Sequence, residues 1–289
     1  MHPATFDYHK ATSVDDAIAL LQQHGDGAKL LAGGHSLLPV LKLRLAQPSL
    51  LIDLGGLGEL AGVREDGDTL RIGAMTTHAA LVSDETVRRR CSLLSDTAAV
   101  VGDRQVRYRG TLGGALAHGD AAADYPAAML ALDAEFLVQG PGGTRTIAAQ
   151  DFFLGFLTTA LEPEEILTEI QIPIPAPGTG MSYQKLANQA SGYATVGVAA
   201  VVAVGADGRC KRLRVGITGT GASAVRATAV EDALTGSLLD EATVRAAAER
   251  AGEGIDVLDD IHASAEYRLR VTRGMTVRAI LTAASRAAA

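Results

Sequence analysis

KLLAGGHSLLPVLKLRL, residues 29–45, runs a short apolar stretch into a glycine pair and then into residues with helical spacing. Lys29-Leu30-Leu31-Ala32 reads as a strand that stops at Gly33-Gly34. Ser36 to Leu45 reads as the helix that follows, with Pro39 tolerated because it sits near the first turn. A glycine pair placed there puts no Cβ between backbone and ligand, so consecutive N–H groups can converge on an anion. Gly110-Thr111-Leu112-Gly113-Gly114 repeats the pattern. Two such turns in one domain suit the two phosphates of a dinucleotide. Neither has G-x-G-x-x-G spacing, which argues against a nicotinamide held in the Rossmann manner.

Upstream, Val14 to Gln23 places Val14, Ala17, Ile18 and Leu21 on one helical face, with Ser13 as N-cap. Downstream, Leu50 to Leu54 and Leu70 to Gly73 read as strands, and Thr77 to Arg90 and Leu93 to Val101 as helices. Leu130 to Val138 fits a helix end or a strand, and periodicity does not choose between them. The alternating prolines of Ile172-Pro173-Ile174-Pro175-Ala176-Pro177-Gly178 forbid a helix and mark a domain boundary, with 1–176 before it and 177–289 after. Beyond it, Ala194 to Val204 and Arg212 to Thr218 flank a hairpin turn at Gly205-Ala206-Asp207-Gly208. Helices follow over Ser223 to Leu234, Asp240 to Ala251 and Ala263 to Ala288. The class is α+β, and the last domain reads as a small antiparallel sheet backed by helices.

The chain has 289 residues, 47% hydrophobic and 20% charged, enough for two modest domains with real cores. Its formal charge of −7 argues against a nucleic-acid partner, since phosphate binding needs clustered Lys and Arg. Arg88-Arg89-Arg90 is short enough to be a solvated helix face. Two cysteines, Cys91 and Cys210, are too few for an iron–sulfur cluster or a cysteine-rich zinc site, so any such centre belongs to another chain. The start, Met1-His2-Pro3-Ala4, lacks the pattern of a secretory signal. Tyr193 to Val204 is only about half of the ~20 residues a membrane span requires and reads as a buried strand. The expectation is a cytoplasmic protein with no membrane span.

AGGHSLLPVLKLRLAQPSLLIDL (32–54) and GTLGGALAHGDAAADYPAAMLAL (110–132) together resemble the medium, flavin-binding subunits of the molybdenum hydroxylases. That family includes carbon monoxide dehydrogenase, nicotine dehydrogenase and the flavin domain of xanthine dehydrogenase. The likeness extends to SAEYR at Ser264 to Arg268, which resembles the family's C-terminal flavoprotein domain. It implies an FAD-binding domain of the vanillyl-alcohol-oxidase (PCMH) type, made of two α/β subdomains at about 1–55 and 56–176, followed by the C-terminal domain. It further implies that Ala32, Gly33, Gly34, His35, Ser36 and Leu37 wrap the pyrophosphate, with Lys29 and Leu31 leading in. Thr111, Gly113, Gly114 and Ala115 would form a second phosphate-side loop, and Asp124 would hold cofactor hydroxyls. Val101 and Gly102 would lie against the flavin, Leu167 would give an apolar backbone contact, and Lys185 would reach the flavin as a cation favouring its reduced anion. Tyr183 and Tyr193 are the candidates to cover the ring.

Two departures stand out: Ala121 where the family often has Pro, and Ala115 where it has a polar residue. His35 is read as orienting backbone and not as a covalent flavin anchor. His118, Asp120 and Asp124 are read as loop residues and not as a metal site. No nucleophile constellation is present, and a flavin needs none. The function implied is electron relay: [2Fe–2S] clusters on a small subunit and molybdopterin-molybdenum on a large one, in a dimer of heterotrimers, with FAD here passing electrons outward. The alternatives are a self-sufficient FAD oxidase or dehydrogenase of the same fold, and a flavin-free scaffold. The substrate and the terminal acceptor are not written in this chain.

Overall fold

The computed structural model describes residues 2–287, and Ala288, the expected end of the last helix, lies outside them. The chain begins with a parallel sheet ordered Asp7–Lys10, Leu50–Asp53, Ala28–Leu31. Helix Val14–His24 makes the crossover, started by Ser13, whose Oγ accepts from the Asp16 N–H at 3.0 Å. Its Val14, Ala17, Ile18 and Leu21 pack on Leu50 and Ile52, which is why the spacing was 3–4 residues.

A five-stranded sheet follows, ordered Val63–Asp66, Thr69–Gly73, Ile166–Pro173, Glu135–Gly140, Gly143–Ala148. Every pair in it is antiparallel, and helices pack beside it, giving the mixed helix-and-sheet second subdomain. The helices from His78–Ser83 to Tyr125–Ala131 lie in sequence between Thr69–Gly73 and Glu135–Gly140, the second and fourth strands of the sheet. The expected Thr77–Arg90 helix is two, His78–Ser83 and Glu85–Arg90, because Asp84 takes an extended backbone and caps the second by accepting from Val87 N–H. Leu130 to Val138 holds both alternatives: helix Tyr125–Ala131 ends there and strand Glu135–Gly140 begins. The Ser36–Leu45 helix is shorter, Leu37–Lys42, and stops before Arg44, whose φ is 57°.

The last sheet is antiparallel, ordered Thr179–Ala187, Ala194–Val204, Cys210–Thr218, Val225–Arg226. Its first strand was not read from sequence, and its last, pairing with Gly216 and Ile217, delays the expected Ser223 helix to Thr228–Leu234. Helix Ala265–Ala287 covers one face and helix Tyr125–Ala131 the other. The strand Ala194–Val204 is apolar apart from Thr195 for that reason. Val196, Val198, Ala200 and Val202 enter the C-terminal core, while Ala199 and Val201 join the core of the preceding subdomain. Among the described residues no helix is long and apolar enough to cross a membrane.

Helix Thr228–Leu234 is fixed to this sheet by a charge network. Buried Glu231 accepts from the Val215 N–H at 2.8 Å and from both Arg226 Nε and Nη2, while Asp133 gathers Arg212, Arg214 and Arg226. Removing one partner of a buried pair leaves the other uncompensated. Glu231→Gln should therefore cost roughly 2–4 kcal/mol of unfolding free energy. A urea midpoint unchanged from that of the parent chain would contradict this account of the network.

Candidate functional site

The two lobes of the N-terminal half meet in a cleft of about 550 Å³. Strand Ala28–Leu31 delivers the first glycine pair to its edge. There Gly33 lies against the Arg109 carbonyl and Gly110 Cα, where a side chain would overlap the other lobe's backbone. Gly34 follows with φ 76°, in the left-handed region that favours glycine. Among the described residues, the amides of Gly33, Gly34, His35 and Ser36 have no hydrogen-bond acceptor in the protein. Four consecutive residues lining the cleft whose N–H groups the protein leaves untaken can converge on an anion as a cradle.

The second glycine turn behaves differently. Thr111 caps helix Leu112–His118, so Gly113 and Gly114 are its first turn and not a loop. Its donors are consumed: Leu112 N–H by Thr76 O, Gly113 N–H by Ala74 O, Gly114 N–H by Thr111 Oγ1 and Ala115 N–H by Thr111 O. The expectation of two matching amide nests is therefore corrected to one. Gly113 is needed for close packing on Ala74, and Gly114 for packing beside Ala32.

The cleft is lined by Lys29, Ala32, Gly33, Gly34, His35, Ser36 and Leu37 from the first loop. Thr111, Gly113, Gly114 and Ala115 line the facing wall, with Val101, Gly102, Asp124, Leu167 and Tyr193 around them. Leu167 arrives there from a strand whose register slips between Leu167 and Glu169. That bulge re-aims the strand beside the cleft. Two expected residues do not line it. Leu31 stays in the sheet ladder, its carbonyl taken by Leu54 N–H and its side chain turned under Gly34.

Lys185 is the second. Its Nζ donates to Asp124 Oδ2 at 2.8 Å and to Val100 O at 3.0 Å, with both charged side chains only 6% exposed. The expected free cation beside the flavin is thus a neutralised pair. Tyr183 donates to the other Asp124 oxygen at 2.7 Å. Burial pushes the Asp124 carboxyl above the usual carboxylate range, against the opposing pull of Lys185 and Tyr183. Of the two candidate tyrosines, Tyr183 is spent on this bond, while Tyr193 stays 37% exposed on the cleft. Burial and nearby Asp120 raise the Tyr193 hydroxyl above its ordinary value, with Ser36 lowering it.

Sequence reasoning missed His78 and Tyr125, which line the cleft and share a 2.9 Å hydrogen bond between His78 Nδ1 and the Tyr125 hydroxyl. His78 is carried in by its N–H bond to Gly110 O and the Thr77–Thr111 bridge, contacts no local spacing announces.

A family model for the FAD binding domain in molybdopterin dehydrogenase matches residues 4–175, and one for the CO dehydrogenase flavoprotein C-terminal domain matches 181–283. The carbon monoxide dehydrogenase medium chain of Hydrogenophaga pseudoflava is 42% identical over 288 residues, covering 100% of both chains. The nicotine 6-hydroxylase medium subunit of Paenarthrobacter nicotinovorans is 39% identical, covering 96% of this chain and 97% of its own. A solved structure of quinoline 2-oxidoreductase from Pseudomonas putida 86 superposes with a TM-score of 0.94 at 37% identity, covering 99% of each chain. Fold and cleft together are those of an FAD-binding oxidoreductase subunit. More particularly, the chain belongs to the family of FAD-binding medium subunits of the molybdenum hydroxylases.

Burial, with repulsion from His35 and Arg107, holds the His78 imidazole down at about 4. The unfolded chain takes up this proton near the ordinary value of 6.5, the folded chain only near 4, so folding stability should fall as pH drops through that window. The loss is on the order of 3 kcal/mol at full protonation. Urea midpoints of the cofactor-free chain across this pH range measure it. His78→Gln should flatten the slope, and parallel slopes would refute the assignment.

Proposed function

We propose that this chain carries FAD in the cleft and relays electrons within a molybdenum hydroxylase. It would take them from [2Fe–2S] clusters on a small subunit, which receives them from a large molybdopterin-molybdenum subunit, and pass them to an external acceptor. The assembly is a dimer of heterotrimers, with residues 1–176 as the cofactor domain and 177–289 as the C-terminal domain. The observation that carries the reading is the row of four unpaired amides at Gly33 to Ser36.

Bound FAD supplies a carrier that accepts electrons singly and releases them in either ones or twos. The chain's own residues do the rest. The Gly33–Ser36 amides hold the diphosphate as dipoles fixed before binding, with Lys29 on the same wall of the cleft. Tyr193 offers a flat face to the ring, and Val101 a small apolar one on the loop tied down by Arg107 and Lys185. Asp124, with its oxygens already engaged by Lys185 and Tyr183, presents a fixed acceptor to ribityl or ribose hydroxyls. The neutralised pair leaves little net charge beside the ring, so the flavin potential here is set mainly by hydrogen bonds and by exclusion of water.

The purified assembly should be yellow, with bands near roughly 375 and 450 nm. Gly34→Ala, which forces a Cβ into the left-handed region at a cost of about 1–2 kcal/mol, should lower flavin retention about tenfold or more. The chain alone should not oxidise substrate but should restore dye reduction when added to its partners. A colourless assembly, or full flavin content in Gly34→Ala, would contradict the reading.

A further inference from the structure

The wall at residues 120–124 belongs to the N-terminal half, yet the C-terminal half holds its backbone. Three successive carbonyls are taken by distant residues. Ala121 O accepts from the Gly219 N–H at 2.7 Å and lies 2.7 Å from Thr218 Oγ1. Ala122 O accepts from the Ala194 N–H at 3.0 Å, and Ala123 O lies 2.8 Å from the same Thr218 hydroxyl. That hydroxyl has one proton and shares it between two acceptors. From inside the loop, Asp120 takes the Ala122 N–H on its side chain and the Ala123 N–H on its carbonyl. The next residue is Asp124.

Arg268 stands behind these donors. One guanidinium nitrogen donates to Thr195 O and Gly219 O, both at 2.8 Å, and the other is gripped by both oxygens of Asp260. Thr195 adjoins Ala194, and Gly219 adjoins Thr218, so one side chain braces each C-terminal group that bonds the carbonyls of residues 121–123, while Lys185 and Tyr183 hold the Asp124 carboxylate itself. Arg268 is 4% exposed. Burying a guanidinium is costly, and an apolar side chain of similar size would serve packing alone. What only an arginine supplies here is direction: two carbonyls and a carboxylate fixed by one planar fork. This gives the SAEYR stretch, which ends at Arg268, a task that the cleft residues do not already perform.

We infer that Thr218 and Arg268 are positioning residues for the cofactor, fixing through the carbonyls of residues 121–123 where Asp124 and Tyr193 stand in the cleft. The inference rests on the flavin reading of the cleft and extends the site into the C-terminal half. Neither residue touches the cleft, so their substitution should alter binding and ring environment without removing any cofactor contact.

The test uses the assembled complex, stripped of flavin and titrated with FAD. Thr218→Val, which keeps the shape and loses the hydroxyl, should raise the Kd for FAD about tenfold and change the visible circular dichroism of the bound flavin. Thr218→Ser should restore both, and Arg268→Met should reproduce the Thr218→Val spectrum. Should Arg268→Met fail to fold, the Thr218 pair still decides. Lower thermal stability with wild-type Kd and spectrum in Thr218→Val would mean a purely structural role and would overturn the inference. A wild-type complex that binds no FAD would instead overturn the flavin reading itself.

Discussion

The cleft exists because two stretches of backbone meet with nothing between them. At Gly33 the end of a parallel strand rests on the Arg109 carbonyl and on Gly110, and on the far side of Gly110 stands the His78 ring. A side chain at Gly33 would part the lobes, and one at Gly110 would strike the His78 ring. Held together there, the lobes leave the amides of Gly33 to Ser36 facing outward across open space and not into a sheet partner. Everything else in the site is arranged relative to that contact: His78 and Tyr125 beneath it, Thr111 and its helix across from it, and Asp124 and Tyr193 on the loops that close the side.

The electrostatics follow from how little charge is free. Lys185 and Asp124 cancel one another in a dry setting, where an unpaired charge of either sign would be costly. His78 is held neutral by burial. A diphosphate in this cleft would be met chiefly by peptide dipoles, which cost no reorganisation because the sheet and the helix already fix them.

Local pattern made much of this legible. The run from Lys29 to Ser36 announces strand, glycine pair and helix start because those are neighbours in sequence, and Ser13 announces its helix for the same reason. The family resemblance supplied the wider frame and pointed to Asp124, Leu167 and Lys185. What failed was everything that depends on distant partners. The turn at Gly110 to Gly114 looked like a twin of the first, but its donors go to Ala74 and Thr76, acceptors that no local reading identifies. Lys185 looked like a free cation because its carboxylate lies 61 positions away. His78 gave no signal, being one histidine at a helix start, and the apolar run Ala194–Val204 revealed a strand without revealing that its two faces serve different cores.

Amide hydrogen exchange in the presence and absence of FAD tests the central claim most directly. Binding should slow exchange at Gly33, Gly34, His35 and Ser36, which have no partner among the described residues, while leaving Leu112 to Ala115, already bonded, nearly as they were. Protection appearing at Leu112 to Ala115 with none at Gly33 to Ser36 would contradict the account.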